Sequence, residues 1–329
     1  MKLVLPMAGF GTRLRPHTWS RPKPVLNVAG KPMLEHILAP FEGMDIEEYV
    51  CIVGYLGGQV EAYMRKTYDV PLRFVVQEEL LGQAHAIHLC KEYLDGPSII
   101  LFADTVFEAD LSGLQEADAD AIAYVKEVED PRRFGVAALG DDGLVTGFVE
   151  KPDTLDNRLA VVGLYYIRDS AHMMQAIERL MEKQIMTKGE FFLADAFQLM
   201  VDDGARFRTR QVGAWLDCGK PETVLSTNRY LLEHGHDNSA ALDPQGRYLV
   251  VPPVSIDPTA DIENAVVGPH VTIAANCHIR DSIVRDSIID AEATVSGALL
   301  EGSLVGEKAA VRGGFQVCNV GDTSSVELA

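Results

Sequence analysis

After Met1 the chain continues with the residues KLVLPMAGFGTRLRP (2–16), which carry the strongest structural signal in the sequence. The first five, KLVLP, form a short apolar run typical of a buried strand. Gly9 and Gly11 follow at once, and a glycine-rich turn after a first strand lets backbone N–H groups approach phosphate oxygens closely. The segment therefore predicts an α/β domain that opens with a buried strand and an anion-binding turn.

The same alternation continues along the first two-thirds of the chain. Further apolar runs predict strands at 47–55, 72–77 and 98–104, and helical periodicity lies between them at 31–41, 59–68 and 83–94. Longer helical patterns follow at 172–183, 191–204 and 222–235. Near-continuous apolar strands separated by helices indicate a Rossmann-like, mainly parallel sheet that is covered on both faces. Ligands of such sheets bind at the carboxyl ends of the strands.

The sequence changes character after a turn-rich segment. Residues 237–246 are interpreted as a linker, and beyond them apolar residues recur every six positions, at Ile256 and Ile262 and again at Val267, Ile273 and Ile279. A six-residue period is the signature of a parallel β-helix, here of roughly four coils. The spacing slips to five near 281–290, and a β-sandwich of short strands is the alternative. We therefore predict an α/β domain at 1–236 and a β-helix domain at 247–329.

Composition narrows the class of protein. Apolar residues make up 47% and charged residues 23% of the 329, as in ordinary globular proteins, and no run approaches the roughly 20 apolar residues of a membrane span. No signal peptide is recognised. Five cysteines occur without CxxC spacing, so neither a disulfide framework nor a zinc site is indicated, and a cytoplasmic location is expected. These are Cys51, Cys90, Cys218, Cys277 and Cys318.

Charge is distributed unevenly. The net charge of −19 should repel nucleic acid and anionic membranes. Residues 1–34 nevertheless contain no Asp or Glu, where the average composition would place about five. A basic segment without acidic residues indicates a local binding site for a polyanion. The alternative is that the acidic residues are missing by chance on a solvated face. The basic residues of this segment are Lys2, Arg13, Arg15, Arg21, Lys23 and Lys31.

The glycine-rich turn matches neither of two common phosphate-binding motifs. It lacks the Gly-Lys-Ser/Thr of a Walker A loop and the third glycine of the dinucleotide fingerprint. Its continuation GFGTRLRPHTWSRPKPVLNVAGKP (9–32) instead resembles the signature of the sugar-phosphate nucleotidyltransferases, and FVEKP (148–152) and AWLDCG (214–219) agree with later motifs of that family. The resemblance covers essentially the whole chain, and longer members carry a left-handed β-helix at the same place.

The resemblance implies a role for each matching residue. Arg13 and Lys23 would be catalytic, contacting the triphosphate. Asp104 and Asp217 would hold Mg²⁺, which prefers few carboxylates together with waters and substrate phosphates. The predicted nucleotide-binding residues are Ala8, Gly9, Gly11, Thr12, Gln77 and Gly82, of which the last two would contact a pyrimidine base. The predicted sugar-phosphate-binding residues are Gly135, Glu150, Lys151, Gly163 and Lys188.

The implied reaction suits these residue types. A sugar 1-phosphate oxygen attacks the α-phosphorus of a nucleoside triphosphate, and pyrophosphate leaves. The attacking phosphate has a second pKa near 6, so it is already largely dianionic at neutral pH and needs no general base. The barrier lies in aligning two polyanions, which calls for cations, a metal ion and rigid donors.

Substrate identity and the role of the tail stay open at this stage. Ala8-Gly9 after Pro6 resembles members that use UTP, whereas RPHTWSRPKP (15–24) resembles members grouped with mannose 1-phosphate guanylyltransferases. We expect dTTP or UTP with glucose 1-phosphate; a catalytically silent regulatory subunit is the other alternative. His270 and His278 fit no acyltransferase pattern, so the β-helix is expected to support a homo-oligomer or regulation. His85 and His88 are interpreted as packing or solvated residues of one helix.

Overall fold

The computed structural model describes residues 1–314, so Cys318 and the end of the predicted β-helix domain lie outside the described residues. The chain divides into two compact units. The first comprises Met1–Leu26 and Lys31–Val224; the second comprises Asn27–Gly30 and the chain from Leu225 onward. The division falls before the predicted linker at 237–246.

Residues 225–236 group with the second unit because Asn228 is fully buried there. Its side chain accepts hydrogen bonds from Ala29 N at 2.8 Å and Thr272 Oγ1 at 2.7 Å and donates to His270 O at 3.2 Å.

Strands β1–β13 are, in chain order, Lys2–Pro6, Asn27–Val28, Lys31–Pro32, Glu48–Val53, Leu72–Val76, Ser98–Leu101, Thr105–Glu108, Ala121–Glu127, Gly135–Leu139, Val145–Glu150, Leu159–Ile167, Phe207–Gln211 and Ala214–Asp217. Helices α1–α6 are Met33–Leu38, Gly57–Thr67, Gln83–His88, Ser170–Glu182, Leu193–Asp202 and Pro221–Leu231.

Several predicted helices are shorter than their apolar patterns. Helix α1, for example, gives way to a 3₁₀ turn at Ala39–Phe41, because Pro40 has no N–H with which to continue an α-helix.

The main sheet confirms the predicted α/β architecture. Its strand order is β10-β9-β11-β6-β1-β4-β5, with β8 beside β11 and β12 beside β8. Strand β1 pairs in parallel with β4 and β6, and β4 pairs in parallel with β5. Strand β11 adds an antiparallel extension through β6, β8 and β9, which the sequence patterns did not predict.

The parallel part of the sheet positions three loops at one edge. Leu3, Val4 and Leu5 of β1 are completely buried, as expected for a central strand covered on both faces. Strands β6, β1, β4 and β5 are neighbours, and parallel strands have their carboxyl ends at a common edge. The segments that follow β1, β5 and β6 therefore meet there, although they are far apart in sequence.

Strands β14–β25 confirm the predicted β-helix. They stack in three parallel sheets of order β14-β17-β20-β23, β15-β18-β21-β24 and β16-β19-β22-β25, in agreement with the predicted left-handed β-helix and not with a β-sandwich. Their bounds are Tyr248–Val250, Val254–Ile256, Asp261–Glu263, Ala265–Val267, Val271–Ile273, His278–Arg280, Ile283–Arg285, Ile288–Ile289, Thr294–Ser296, Leu299–Glu301, Leu304–Val305 and Ala310–Arg312.

The six-residue period corresponds to the interior of the β-helix. Ile256, Ile262, Val267, Ile273 and Ile279 are each at most 2% exposed. Where the spacing slips to five, the interior positions are Val284 and Ile289, and both remain completely buried. The short turns therefore absorb the irregular spacing without breaking the inward-facing pattern. No helix within residues 1–314 is long and apolar enough to cross a membrane.

Candidate active site

Two adjoining cavities lie in the first unit and share Arg13, Gln83, Phe102 and Asp104. One, of about 400 Å³, is lined by the segment after β1 and is termed the loop cavity. The other, of about 330 Å³, has Phe102, Phe134, Tyr165, Phe192 and Trp215 in its wall and is termed the aromatic cavity. Ligand sites of this size are usual for small molecules, and two that share residues can hold two reactants side by side.

The loop cavity collects residues predicted to bind a nucleotide. Ala8, Gly9, Gly11, Thr12, Arg13, Lys23, Gln77 and Gly82 all line it. The turn is fixed locally because the Thr18 hydroxyl donates to Gly11 O at 2.8 Å. Gly11 has φ 61, and a Cβ there would lie 3.0 Å from Thr18 Cγ2, so a glycine suits both the backbone and the space.

Lys23 links the loop to the edge of the sheet. It opens a 3₁₀ turn, Lys23–Val25, and its side chain is only 11% exposed. The ammonium donates to Asp104 O at 3.3 Å and lies 3.6 Å from Asp104 Oδ2. Lys23 lines the loop cavity and its partner Asp104 lines both cavities, so the ammonium can attract phosphate oxygens that are bound in the loop cavity.

Gly82 shapes the opposite wall of the loop cavity. Its φ of 115 is a backbone angle that residues with a side chain rarely adopt. A Cβ at this position would also lie 2.4 Å from the backbone oxygen of Phe191. Two backbone hydrogen bonds hold this contact, from Phe191 N to Leu81 O at 2.8 Å and from Ala84 N to Phe191 O at 2.9 Å. A side chain at position 82 would therefore displace the wall.

Asp104 and Asp217 come together through neighbouring strands. Strand β13 pairs antiparallel with β7, which places Asp217 opposite Thr105, and Cys218 N donates to Asp104 O at 3.1 Å. Both carboxylates line the aromatic cavity. Asp217 Oδ1 accepts from Gly219 N at 2.8 Å, and a Cβ at Gly219 would meet this oxygen and Arg13 Nη2 within 3 Å. The Asp217 carboxylate and the Arg13 guanidinium thus converge on Gly219.

The donor set fits a cation that takes few protein ligands. Among residues 1–314 no group of three or more His, Cys, Asp or Glu side chains is arranged to hold a metal ion. Two carboxylates beside a cavity match the preference of Mg²⁺ for one or two carboxylates plus waters and substrate phosphates. Asp104 and Asp217 could therefore hold such an ion when substrate supplies the remaining oxygens.

Glu150 and Lys151 lie together in the aromatic cavity. Lys151 Nζ is 3.4 Å from Glu150 Oε1 and 3.9 Å from the centroid of the Phe192 ring. Burial raises the pKa of the Glu150 carboxyl, although the neighbouring ammonium opposes this shift. A Cβ at Gly135 would lie 2.9 Å from Glu150 Oε2, and one at Gly163 would lie 2.9 Å from Phe102. Both glycines leave room that the cavity needs.

Lys188 is the exception among the predicted site residues. It is exposed, has φ 51 in the turn between Thr187 and Glu190, and lines neither cavity, whereas its neighbour Glu190 lines the loop cavity. In this turn the side chain that lines a cavity is therefore that of Glu190 and not the predicted Lys188.

Several cavity residues were missed in the sequence. Gln83 directly follows Gly82, and Lys220 directly follows the AWLDCG motif, so their positions beside predicted residues were the available signal. Tyr165 and Trp215 lie in strands that the patterns did not predict, and Phe134 lies in the turn before β9. Phe102 and Phe192 lie in the predicted strand 98–104 and the helical pattern 191–204, where an apolar residue gives no sign that it lines a cavity. The missed residues include Gln83, Phe102, Arg133, Phe134, Tyr165, Phe192, Trp215, Lys220 and Thr223.

The histidines considered in the sequence have individual contacts. His88 Nε2 lies 3.5 Å from Glu178 Oε1, and His85 Nδ1 lies 3.3 Å from Gln77 Nε2. His270 Nε2 is 2.7 Å from Glu233 Oε1, and the exposed His278 is 3.6 Å from Asp261. Of these four contacts, only that of His85 is made with a residue that lines a cavity, namely Gln77.

Known proteins resemble this chain over the unit that contains the cavities and, in one case, over its full length. Glucose-1-phosphate thymidylyltransferase of Streptomyces antibioticus is 29% identical over 360 residues, which cover 100% of this chain and 99% of that protein. Bifunctional protein GlmU of Methanococcus vannielii is 32% identical over 240 residues, covering 71% of this chain. Low-salt glycan biosynthesis nucleotidyltransferase Agl11 of Haloferax volcanii is 34% identical over 242 residues, again 71% of this chain.

The coverage of these relatives differs. The chain spans 56% of the GlmU protein and 66% of Agl11. A solved structure of UDP-glucose pyrophosphorylase complexed with UDP-glucose has the same fold, with a TM-score of 0.61 and 21% identity, over 71% of this chain and 98% of that one.

Residues 2–234 match the family described as Nucleotidyl transferase. This range includes every residue that lines the two cavities. The chain belongs to the nucleotidyl transferase family.

Proposed function

We propose that the protein is a sugar-1-phosphate nucleotidyltransferase, which joins a nucleoside triphosphate to a sugar 1-phosphate and releases pyrophosphate. The observation that carries the proposal is that Arg13 and Asp104 belong to both cavities, with the ammonium of Lys23 against Asp104. A triphosphate in the loop cavity and a sugar phosphate in the aromatic cavity would meet at these charges. Alignment of the two polyanions is the main requirement of the reaction.

The residues of the loop cavity bind and orient the triphosphate. Backbone N–H groups around Gly9 and Gly11 face phosphate oxygens, and the Arg13 guanidinium can contact two oxygens at once. Lys23 adds a positive charge where the α-phosphate meets the attacking oxygen. As pyrophosphate departs, these fixed cations stabilise the growing negative charge on it without having to reorganise.

The residues of the aromatic cavity bind the sugar 1-phosphate. Glu150 accepts hydrogen bonds from sugar hydroxyls, and Lys151 neutralises the phosphate, with Arg133 and Lys220 in the same wall. The phosphate arrives as a dianion, so these residues need only hold and aim it. The aromatic rings around it exclude water from the α-phosphorus.

A divalent metal is expected in the complex, because members of this family generally use one. We propose Mg²⁺, held by Asp104 and Asp217. When bound there it would supply charge neutralisation of the triphosphate.

For the substrates we propose dTTP or UTP with glucose 1-phosphate. The support is the full-length similarity to a protein named glucose-1-phosphate thymidylyltransferase and the motif around Ala8-Gly9. A guanylyltransferase acting on mannose 1-phosphate is the alternative that RPHTWSRPKP (15–24) favours. A silent regulatory subunit is disfavoured because such subunits tend to lose charged site residues. Six are kept here: Arg13, Lys23, Asp104, Glu150, Lys151 and Asp217.

The test is pyrophosphate release from a matrix of sugar 1-phosphates and nucleoside triphosphates, with and without Mg²⁺. We expect release only when both substrates and the metal ion are present. Lys23→Met and Asp217→Asn should each lower kcat by about 10²- to 10³-fold, while Lys66→Met, an exposed lysine of α2, should not. Unchanged turnover in both site variants, or no release from folded wild-type protein in any combination, would overturn the proposal.

We also propose that the β-helix supports a homo-oligomer. Leu249, Val266, Ile283 and Leu299 follow one another in register across β14, β17, β20 and β23, and Leu299 is 81% exposed. This aliphatic row can pack against the same row of a second copy, because a two-fold axis makes such a surface self-complementary. The expected cytoplasmic location rests on the cysteine pattern of the sequence and stays a prediction.

A further inference from the structure

We infer that His85 is a positioning residue for base selection: it holds the amide of Gln77 so that Oε1 faces the base and accepts a hydrogen bond from a ring N–H. The inference rests on the proposed function, because it assigns the base to the loop cavity. It predicts which class of nucleoside triphosphate the site takes and which it rejects.

The orientation of the Gln77 amide follows from its neighbours. Gln77 follows β5, is only 6% exposed, and its backbone N donates to Val53 O at 2.8 Å. Its Nε2 lies 3.4 Å from Gly82 O. A carbonyl oxygen can only accept, so the amide atom that faces it must be the NH₂ group and not the oxygen.

His85 uses the second hydrogen of the same NH₂ group. Its Nδ1 lies 3.3 Å from Gln77 Nε2, so Nδ1 must be the acceptor and the ring proton sits on Nε2. A protonated imidazole would set two donors against each other. Burial lowers the pKa of His85, and nearby His88 lowers it further, while Glu79 opposes both. The neutral ring that this contact requires is therefore the favoured form.

The groups that hold the amide are themselves fixed. The Gly82 carbonyl belongs to the wall segment that is pinned by Phe191, where a Cβ would lie 2.4 Å from backbone. His85 lies in α3, which is anchored by the completely buried Ala84 and Ile87. Rotation of the amide by half a turn would place its oxygen against the Gly82 oxygen, which can only accept, and would require the His85 proton to move from Nε2 to Nδ1. The amide is thus held in one of its two orientations.

This arrangement selects bases by their ring nitrogen. With both amide hydrogens engaged, Oε1 is the group left to meet a base, and it can only accept. Uracil, thymine and guanine carry a ring N–H on the pairing edge, whereas cytosine and adenine present a bare ring nitrogen there. For a base held with its ring nitrogen opposite Oε1, the site should therefore favour UTP, dTTP or GTP over CTP and ATP, because an acceptor facing an acceptor leaves both unpaired.

The experiment compares His85→Leu, which removes the acceptor, with His85→Gln, which can restore one. Titration calorimetry gives the Kd for UTP and CTP with Mg²⁺, and pyrophosphate release gives kcat/KM for each. We expect His85→Leu to reduce the UTP-over-CTP preference about tenfold, with the KM for sugar 1-phosphate unchanged, and His85→Gln to recover most of it. His88→Leu in the same helix is the matched control and should keep the wild-type ratio.

The outcomes separate the two proposals. A wild-type protein that binds UTP over CTP but releases no pyrophosphate would overturn the proposed function and leave the inference supported by the binding ratios. Normal turnover with an unchanged UTP-over-CTP ratio in folded His85→Leu would overturn the inference alone. A wild-type preference for CTP, or none between the two, would also overturn it.

Discussion

Replacing Glu150 by Gln separates the two effects that this buried carboxylate has on the protein. The side chain is 8% exposed in the aromatic cavity, and its burial raises its pKa in the folded state. A carboxyl whose folded pKa lies above its unfolded value destabilises the fold at high pH. That cost is absent below the unfolded pKa, appears as pH rises through it, and is complete above the folded pKa. Glu150→Gln removes the charge and keeps the shape.

The expected change in stability therefore depends on pH. At pH 7 the variant should unfold at a higher temperature than the wild type, and at pH 4 most of the difference should be lost, because the wild-type carboxyl is then largely protonated in both states. The ammonium of Lys151, 3.4 Å away, offsets part of the free-energy cost of burying the Glu150 charge. It therefore reduces the stability that Glu150→Gln can gain. Such a gain in stability on loss of a site charge is typical of residues kept for function.

Catalysis should change in the opposite direction. A hydrogen bond to a charged group contributes about 1.5–3 kcal/mol and one between neutral groups about 0.5–1.5, so the variant should lose about 1–1.5 kcal/mol of binding to a sugar hydroxyl. This corresponds to a fall of roughly 5- to 13-fold in kcat/KM for the sugar 1-phosphate. The KM for the nucleoside triphosphate should hardly move, because Glu150 does not line the loop cavity.

The assay combines thermal unfolding at pH 7 and pH 4 with pyrophosphate release at saturating triphosphate. Glu182→Gln, which changes an exposed carboxylate at the end of α4, is the control and should alter neither quantity. A variant that is less stable than wild type at pH 7, or one whose kcat/KM for sugar 1-phosphate is unchanged, would refute the reasoning.

Three further perturbations test the packing around the site and the second unit. Asn228→Ala removes three hydrogen bonds of a buried amide and should cost about 1–3 kcal/mol of unfolding free energy in denaturant titration, against less than about 1 for its exposed neighbour Arg229→Ala. Gly82→Ala should raise the KM for the triphosphate at least about tenfold by displacing the cavity wall, whereas Gly58→Ala, with open space around its Cβ, should leave this KM unchanged. An equal KM in both variants would show that the wall accommodates the added methyl group. Leu299→Asp should shift the sedimentation equilibrium toward monomer, and an unaltered mass distribution would place any self-association elsewhere.

Much of the cavity lining was predictable because its residues lie in short, contiguous motifs. GFGTR, FVEKP and AWLDCG each bring two or more polar or glycine residues together, PKP adds Lys23, and all predicted site residues except Lys188 line a cavity. Lys188 shows the limit of this reasoning. A motif fixes the place of a loop along the chain, whereas the direction of a side chain within a turn depends on backbone angles, here φ 51.

The antiparallel half of the main sheet was not predictable in the same way. Strands β8–β11 interrupt their apolar pattern with polar or small residues, and β11 joins β6 and β8 across large separations in sequence. Pairing over such distances depends on which surfaces remain uncovered once the parallel strands have formed. Phe134, just before β9, and Trp215, in β13, are far apart in sequence, yet their ring centroids lie 4.8 Å apart.

The sequence by itself determined the parallel strands β1, β4, β5 and β6, the period of the β-helix and the basic, glycine-rich character of the loop after β1, because each depends on residues close together along the chain. Only the tertiary structure decided that Lys23 meets Asp104, that Asp217 lies opposite Thr105 through the pairing of β13 with β7, and that His85 contacts the Gln77 amide. These contacts join residues on different elements, and their geometry is set by how the strands pack. Local sequence patterns do not give the distances between side chains on different elements, and the chemistry of the site depends on those distances.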